Sequence, residues 1–126
     1  MKNTITSIIL FLLVFSFVAY ANNSLSKLCE NIAEDSENIE NLINKNEWDE
    51  AYSYSLDLIE EVKNSHKLSS VYVNHTDYDY ISNEAEKLSI YIREKNISEA
   101  YVSANMLRST VHNISHLHKP SIENIF

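Results

Sequence analysis

The chain has 126 residues, no glycine, a single proline and a formal charge of −8, which is room for one small domain and not two. Tight strand-joining turns lean on Gly and Pro, so the composition disfavours a strand-rich fold and points to helices joined through Asn, Ser and Lys. An acidic chain with no Lys/Arg cluster lacks the concentrated positive charge that nucleic acid or an anionic lipid surface selects.

The N-terminus carries one cation, Lys2, then an apolar stretch from Ile5 to Ala21, then Asn22, Asn23 and Ser24. That layout fits a secretory signal or an N-terminal membrane anchor. Ala19 and Ala21 supply the small residues that signal peptidase reads, and cleavage after Ala21 would release a secreted protein. As a helix the stretch is roughly 25 Å long, near the lower limit for crossing a bilayer, and retention would leave the protein at the membrane. Both outcomes stay open, and in both the remainder faces the outside with Lys2 inside. The expected organisation is a signal or anchor over 1–21, a helical bundle over 22–119 and an apolar tail over 120–126 packed on the bundle. Cys29 is the only cysteine. Lys27 beside it does not fit a lipidation box, and the register of Cys29 with Leu25, Ile32 and Ile39 places it on a core stripe.

Apolar residues then recur at three- and four-residue steps, the helical period. The first stripe is Leu25, Cys29, Ile32, Ser36, Ile39 and Ile43. The second is Trp48, Tyr52, Ser55, Ile59, Val62 and His66, flanked by Ala51, Leu56 and Leu58. The third runs through Val71, His75, Tyr78, Ser82, Ala85, Leu88 and Ile92, with Ile81 adjacent. The fourth is Ile97, Tyr101, Ala104, Leu107, Val111, Ile114 and His118. Two near-identical phrases, "KNEWDEAY" from Lys45 and "KNISEAY" from Lys95, mark corners between helices. In each, Asn46 or Asn96 is placed to cap the next helix, with Asp49 or Glu99 three residues on as in a capping box. An Asn can also take the left-handed conformation that ends the preceding helix. The expected fold is therefore all-α: two αα-hairpins, 24–67 and 69–119, joined near Leu68-Ser69-Ser70 and packed as an antiparallel four-helix bundle. Trp48 falls on the core stripe and reads as a corner anchor, not as a ligand-stacking residue.

Charge divides the chain. Residues 30–61 hold eleven acids against Lys45 alone, whereas residues 62–126 hold seven acids, seven bases and all five histidines. His112 and His116 lie four apart on one helix face, the spacing that can chelate a metal ion, and His75 is the candidate third ligand from the helix before. No carboxylate or Cys stands beside the pair in sequence, so no cofactor is expected. The histidines also invite a proton-sensing reading, because their protonation would set positive charge against the acidic half. His75 and Asp79 share a helix face and Asp77 does not. A His–Asp pair without a nucleophile or oxyanion donors does not make an enzyme, and none is expected.

The order of these features resembles one family. A short hydrophobic leader precedes an acidic helix and "NEWDEAY", then "VNHTDYDYI", the corner "LSIYIREKNISEAY", a His-bearing last helix and the ending "SIENIF". This resembles the Domain of unknown function 4363 family, small leader-bearing helical proteins of Gram-positive bacteria, over roughly residues 25–126. Its most specific pieces are Trp48 with Ala51, His75, and Asn124-Ile125-Phe126. A second tryptophan expected shortly before the His75 element is missing, where this chain has Lys63, Asn64 and His66. The resemblance implies a helical fold and no activity. The expectation for function is a non-enzymatic binding or scaffolding module at the outer face of the cell membrane, with an unknown protein partner and membrane contact through the N-terminal segment. The alternative is a His-based metal- or pH-sensing module using His75, His112 and His116.

Overall fold

The structure, a computed structural model, describes residues 1–66 and 75–118, with side chains up to His116. Four helices make up nearly all of them: α1 (Lys2–Asn44), α2 (Trp48–Asn64), α3 (His75–Arg93) and α4 (Ile97–His118). No strand occurs among the described residues. The linker expected at Leu68-Ser69-Ser70 and the apolar tail expected over 120–126 lie outside them.

The helices form a ring in which α1 packs on α2 and α4, and α3 packs on the same two. Polar contacts fix the order along the seams. Between α1 and α4, Tyr101 donates its hydroxyl to Asn44, and Arg108 pairs with Glu40 at 2.8 Å in a half-buried setting. Residue numbers fall along α1 as they rise along α4. Between α2 and α3, the Tyr78 hydroxyl donates to the Val62 carbonyl at 3.3 Å.

The first helix buries the stripe its sequence spells out. Leu25, Cys29, Ile32, Ser36, Ile39 and Ile43 are all buried, and Ala21 extends the series by one turn. The other helices keep much of the expected faces, with Ala85, Leu88 and Ile92 and Ala104, Leu107, Val111 and Ile114 buried, and differ chiefly at their starts. In α2 the buried set is Ala51, Ser55, Leu58 and Val62, so Leu58 replaces Ile59 at the centre, and Leu56 is 45% exposed. In α4 it is Ala100, Ser103, Ala104, Leu107, Val111 and Ile114, whereas Ile97 is 47% exposed. In α3, Ile81 and Ser89 are buried and Ser82 is only half-buried. Small residues explain the difference. Ala51 and Ala100 sit where each helix starts, and an alanine there lets neighbouring backbones approach closely. The larger Trp48 and Tyr101 lie partly exposed at the edge of the core.

Ser36 and Ser55 satisfy their hydroxyls within their own helices, since interior hydroxyls must be paired. The Ser36 hydroxyl donates to Ile32 O at 2.8 Å and that of Ser55 to Tyr52 O at 2.6 Å. Each hydroxyl thus needs no partner across the helix interface.

The corners are built alike, but the sequence phrases align differently from their spelling. Asn46 has φ 61° and Lys95 has φ 55°, so these two, and not Asn46 and Asn96, are equivalent. At the first corner Asn46 N–H donates to Ile43 O at 3.0 Å and Glu47 N–H to Leu42 O at 2.9 Å. At the second, Lys95 N–H donates to Ile92 O at 3.0 Å and Asn96 N–H to Tyr91 O at 2.9 Å. Both patterns are Schellman motifs, with a left-handed residue ending the helix. The residue after it then starts the next helix. Asn96 caps α4 as expected, its side-chain oxygen accepting from Glu99 N–H at 3.3 Å. The expected Asn46 cap is corrected: Glu47 holds the cap position of α2 and makes no side-chain cap bond. Asn46 is instead consumed by the left-handed turn.

The same alignment runs through the core. Ile32 and Ile81, Ser36 and Ala85, Ile39 and Leu88, and Ile43 and Ile92 are buried pairs, as are Ala51 and Ala100, Ser55 and Ala104, Leu58 and Leu107, and Val62 and Val111. Each pair is separated by 49 residues. The bundle is thus two copies of one helix–corner–helix pattern, with small residues at matching levels.

The corners give a direct test. A left-handed L-residue costs roughly 1–2 kcal/mol, which glycine avoids at some entropic expense. Lys95→Gly is expected to stabilise the fold by about 0.5–1 kcal/mol, and Asn96→Ala to destabilise it by about 1 kcal/mol through loss of the cap. Denaturant titration of the two variants against the parent chain checks both signs.

Candidate functional site

Two regions stand apart from the core: the exposed N-terminal part of α1, and the polar groups on the flanks of the bundle. Every residue from Met1 to Tyr20 is exposed. Residues 2–20 of the helix span about 28 Å, close to the ~30 Å hydrocarbon core of a bilayer. This segment is long and apolar enough to cross a membrane. Exposed side chains such as Leu10, Phe11, Leu13 and Phe17 point outward around the whole helix, as an all-round apolar helix does when no protein covers it. The helix does not stop where the apolar stretch ends. It passes through Ala19-Tyr20-Ala21 without a break, and Ala21 is already 1% exposed against the bundle.

Where α1 enters the bundle, a cleft of about 240 Å³ opens between α1 and the end of α2, lined by Ala21, Ser24, Leu25, Leu28, Asn31 and Glu61 among others. A second cleft, about 150 Å³, lies between α1 and α4 and is lined by Cys29, Glu30, Ala33, Val111, His112 and Ser115.

The candidate histidines are spread over the surface. The His112 and His116 rings stack nearly parallel, 6.4 Å between centroids. This is the face-sharing geometry expected from their spacing. His75, at the start of α3, has its Nε2 3.6 Å from an Asp79 carboxylate oxygen in an exposed pair, again the expected i, i+4 relation. His66 sets its ring edge-on to Tyr78 at 4.8 Å. The His118 side chain lies outside the described residues. Among the described residues no three His, Cys, Asp or Glu side chains converge as metal ligands, so His75 does not join the pair on α4. His112 lines the same cleft as Glu30.

Cys29 is buried at the floor of that cleft. Burial, with Glu30 nearby, pushes its thiol up to about 11. The thiolate is the reactive form, so this cysteine is held inert, in agreement with its place on the core stripe.

The strongest electrostatic feature was not read from the sequence. Burial, together with Glu61 on α2, Glu34 and Asp57, raises the Asp35 carboxyl on α1 to about 6. Asn31 donates its side-chain amide to Glu61 at 3.2 Å. The acidic run over residues 30–61 reads in the sequence as a solvated face. That two of its acids meet across a seam depends on the relative rotation of α1 and α2, which no single-helix periodicity encodes.

Residues 19–125 match the family described as Domain of unknown function (DUF4363). The chain belongs to that family. No curated protein and no solved structure matches it. The matched span begins before Ala21, so the family pattern includes the junction where the apolar helix joins the bundle.

The burial of Cys29 sets a measurable expectation. Raising the thiol from its ordinary 9.0 to about 11 lowers the thiolate fraction near neutral pH by about 100-fold. A thiol-specific reagent is expected to label the folded chain slowly and the urea-unfolded chain rapidly, with a monomer on non-reducing gels. Rapid labelling of the folded chain would show that Cys29 is accessible.

Proposed function

We propose that this protein is a non-enzymatic binding or scaffolding module held at the extracytoplasmic face of the cell membrane by α1, which serves as an uncleaved anchor. The single observation that carries the reading is the unbroken passage of α1 from an exposed apolar segment into the buried stripe that begins at Ala21. Cutting after Ala21 would sever the helix at the point where it first packs on the bundle. Retention keeps a rigid support for the other three helices. Lys2, the one charged side chain before the apolar stretch, supports this orientation, because a cation there favours the cytoplasmic side. The absence of a nucleophile–base–donor constellation in the sequence supports a binding role over a catalytic one.

The His112–His116 stack supports a second reading, a metal- or proton-sensing face on α4. Two imidazoles at i, i+4 supply half of a tetrahedral zinc site, and a ligand from a partner would have to complete it.

Mass spectrometry of the chain from its native membrane is expected to give a mass that retains residues 1–21. A product starting at Asn22 and recovered from the medium would overturn the anchor. Crosslinking in membranes is expected to trap a protein partner, and a chain recovered alone each time would overturn the scaffold. Titration with Zn²⁺ separates the second reading: binding much tighter than roughly millimolar, lost in His112→Ala, would favour it over the first.

A further inference from the structure

We propose that the cleft between α1 and the end of α2 takes up one phospholipid from the bilayer, selected for a headgroup that carries a primary ammonium beside its phosphate. The inference rests on the proposed retention of α1 as an anchor. Residues 2–20 of that helix cover about 28 Å, nearly the hydrocarbon thickness of a bilayer. Ala21, the next residue, is the first to line the cleft. The cleft therefore opens at the level where acyl chains give way to headgroups.

The lining changes character with height along α1. Ala21, Leu25 and Leu28 give the lower part an apolar wall. Lys27 lines the same cleft, about 9 Å along the helix from Ala21. Glu61 accepts a 3.2 Å hydrogen bond from the Asn31 side-chain amide, which holds it at a level about 6 Å farther out than Lys27. Moving away from the membrane, the cleft thus presents apolar surface, then a cation, then a carboxylate. A phospholipid with an ethanolamine headgroup presents the complement in the same order: acyl carbons, phosphate, ammonium. Lys27 is exposed, and among the described residues it forms no ion pair and no cation pairs with Glu61. Both charges are open to a ligand. A zwitterionic headgroup needs no basic cluster, so the acidic character of the chain does not oppose it. The volume of about 240 Å³ equals that of roughly eight liquid waters. It takes a headgroup and the first carbons of a chain, and the rest of the lipid stays in the bilayer.

The internal repeat shows that the helix–corner–helix pattern does not itself require this cleft. The positions 49 residues after Lys27, Leu28, Glu61 and Ser65 are Thr76, Asp77, Thr110 and Ile114. The second copy therefore has an acid in place of Leu28 and no counterpart of either charge. Where the cleft has Ser65, the second copy has a buried isoleucine. The apolar wall and the opposed charges occur together only in the half whose first helix continues into the apolar segment, which is the half that meets the bilayer. The carboxylate also sets the headgroup. Glu61 only accepts hydrogen bonds when ionised. A primary ammonium donates N–H to it in a charge-assisted bond, whereas a trimethylated ammonium has no N–H to donate. Ethanolamine is thus preferred to choline.

The test uses the full chain in bilayer discs that hold equal amounts of phosphatidylethanolamine and phosphatidylcholine. Native mass spectrometry after release into mild detergent is expected to show one retained lipid per chain, with phosphatidylethanolamine favoured about tenfold. Lys27→Glu, at an exposed side chain, is expected to lower that retention at least about tenfold. Lys45→Glu makes the same change of charge at an exposed lysine in the far corner and is expected to retain lipid like the parent. Equal retention of the two lipids, or the same retention in the two variants, would overturn the proposal. Phosphatidylethanolamine with a photoreactive group near its glycerol is expected to label residues 21–31. Labelling confined to residues 2–20 would show that the rest of this chain or a second copy fills the cleft, and would overturn the proposal. Alkaline carbonate washing of the membranes distinguishes the two readings. A chain that washes off overturns the anchor and the lipid site together, whereas an inserted chain that retains no phosphatidylethanolamine overturns the lipid site alone.

Discussion

Burial of one stripe of α1, from Ala21 to Ile43, is the contact on which the rest of the molecule depends. That stripe meets α2, its neighbour in sequence, and α4, the last helix in the chain. It therefore closes the ring. The side chains on it, Ile32, Ile39 and Ile43 among them, are almost fully inaccessible, and truncating such a residue to alanine typically costs about 2–5 kcal/mol. The same helix also carries the exposed apolar segment. Assembly of the bundle and placement of that segment are thus one packing event on one continuous element.

Much of this was legible in the sequence, and the parts that were not share a physical reason. The α1 stripe was read residue for residue because it is long, strictly periodic and apolar, and its serine sits where a buried hydroxyl can bond within its own helix. The faces of α2 and α4 differ from the expected ones mainly in their first turns, while Ser55 and Val62 in α2 and Ala104, Leu107, Val111 and Ile114 in α4 are buried as expected. Periodicity weighted Trp48, Tyr52, Ile97 and Tyr101 by size, while the packing selected Ala51 and Ala100 for closeness of approach. The corners were recognised as corners, but the shared Lys-Asn spelling set their register one residue out. The shared Ala-Tyr at the other end of each phrase is what the buried positions follow. Asp35 and Glu61 were invisible as a pair because they are 26 residues apart and on different helices. The candidate histidines were placed correctly within their own helices, His112 with His116 and His75 with Asp79. The relation between those two groups depended on tertiary geometry that spacing does not contain.

The electrostatics follow the division of charge between the two halves. Cross-seam cations are few: Arg108 reaches Glu40, and Lys63 reaches Glu86 at 3.7 Å in an exposed pair of the kind that contributes little. The acidic first half is held chiefly by apolar burial and by the half-buried Arg108 contact. In the second half Lys87 pairs with Glu84, at the position equivalent to Asp35.

The unbroken course of α1 also has a mechanical consequence. Sharp helix kinks arise at Pro, at Gly or Ser pairs or at bulges, and no Pro or Gly stands anywhere between Lys2 and Asn44. The helix is a rod about 65 Å long with no hinge where its exposed and buried parts meet. A transmembrane helix commonly leans about 20° from the bilayer normal. With the apolar segment set in a bilayer at that angle, the corner at Asn44 would swing sideways by about 12 Å, carrying α2, α3 and α4 with it. Bilayer thickness, through the lean it imposes, would then set both the height and the lateral reach of the two corners.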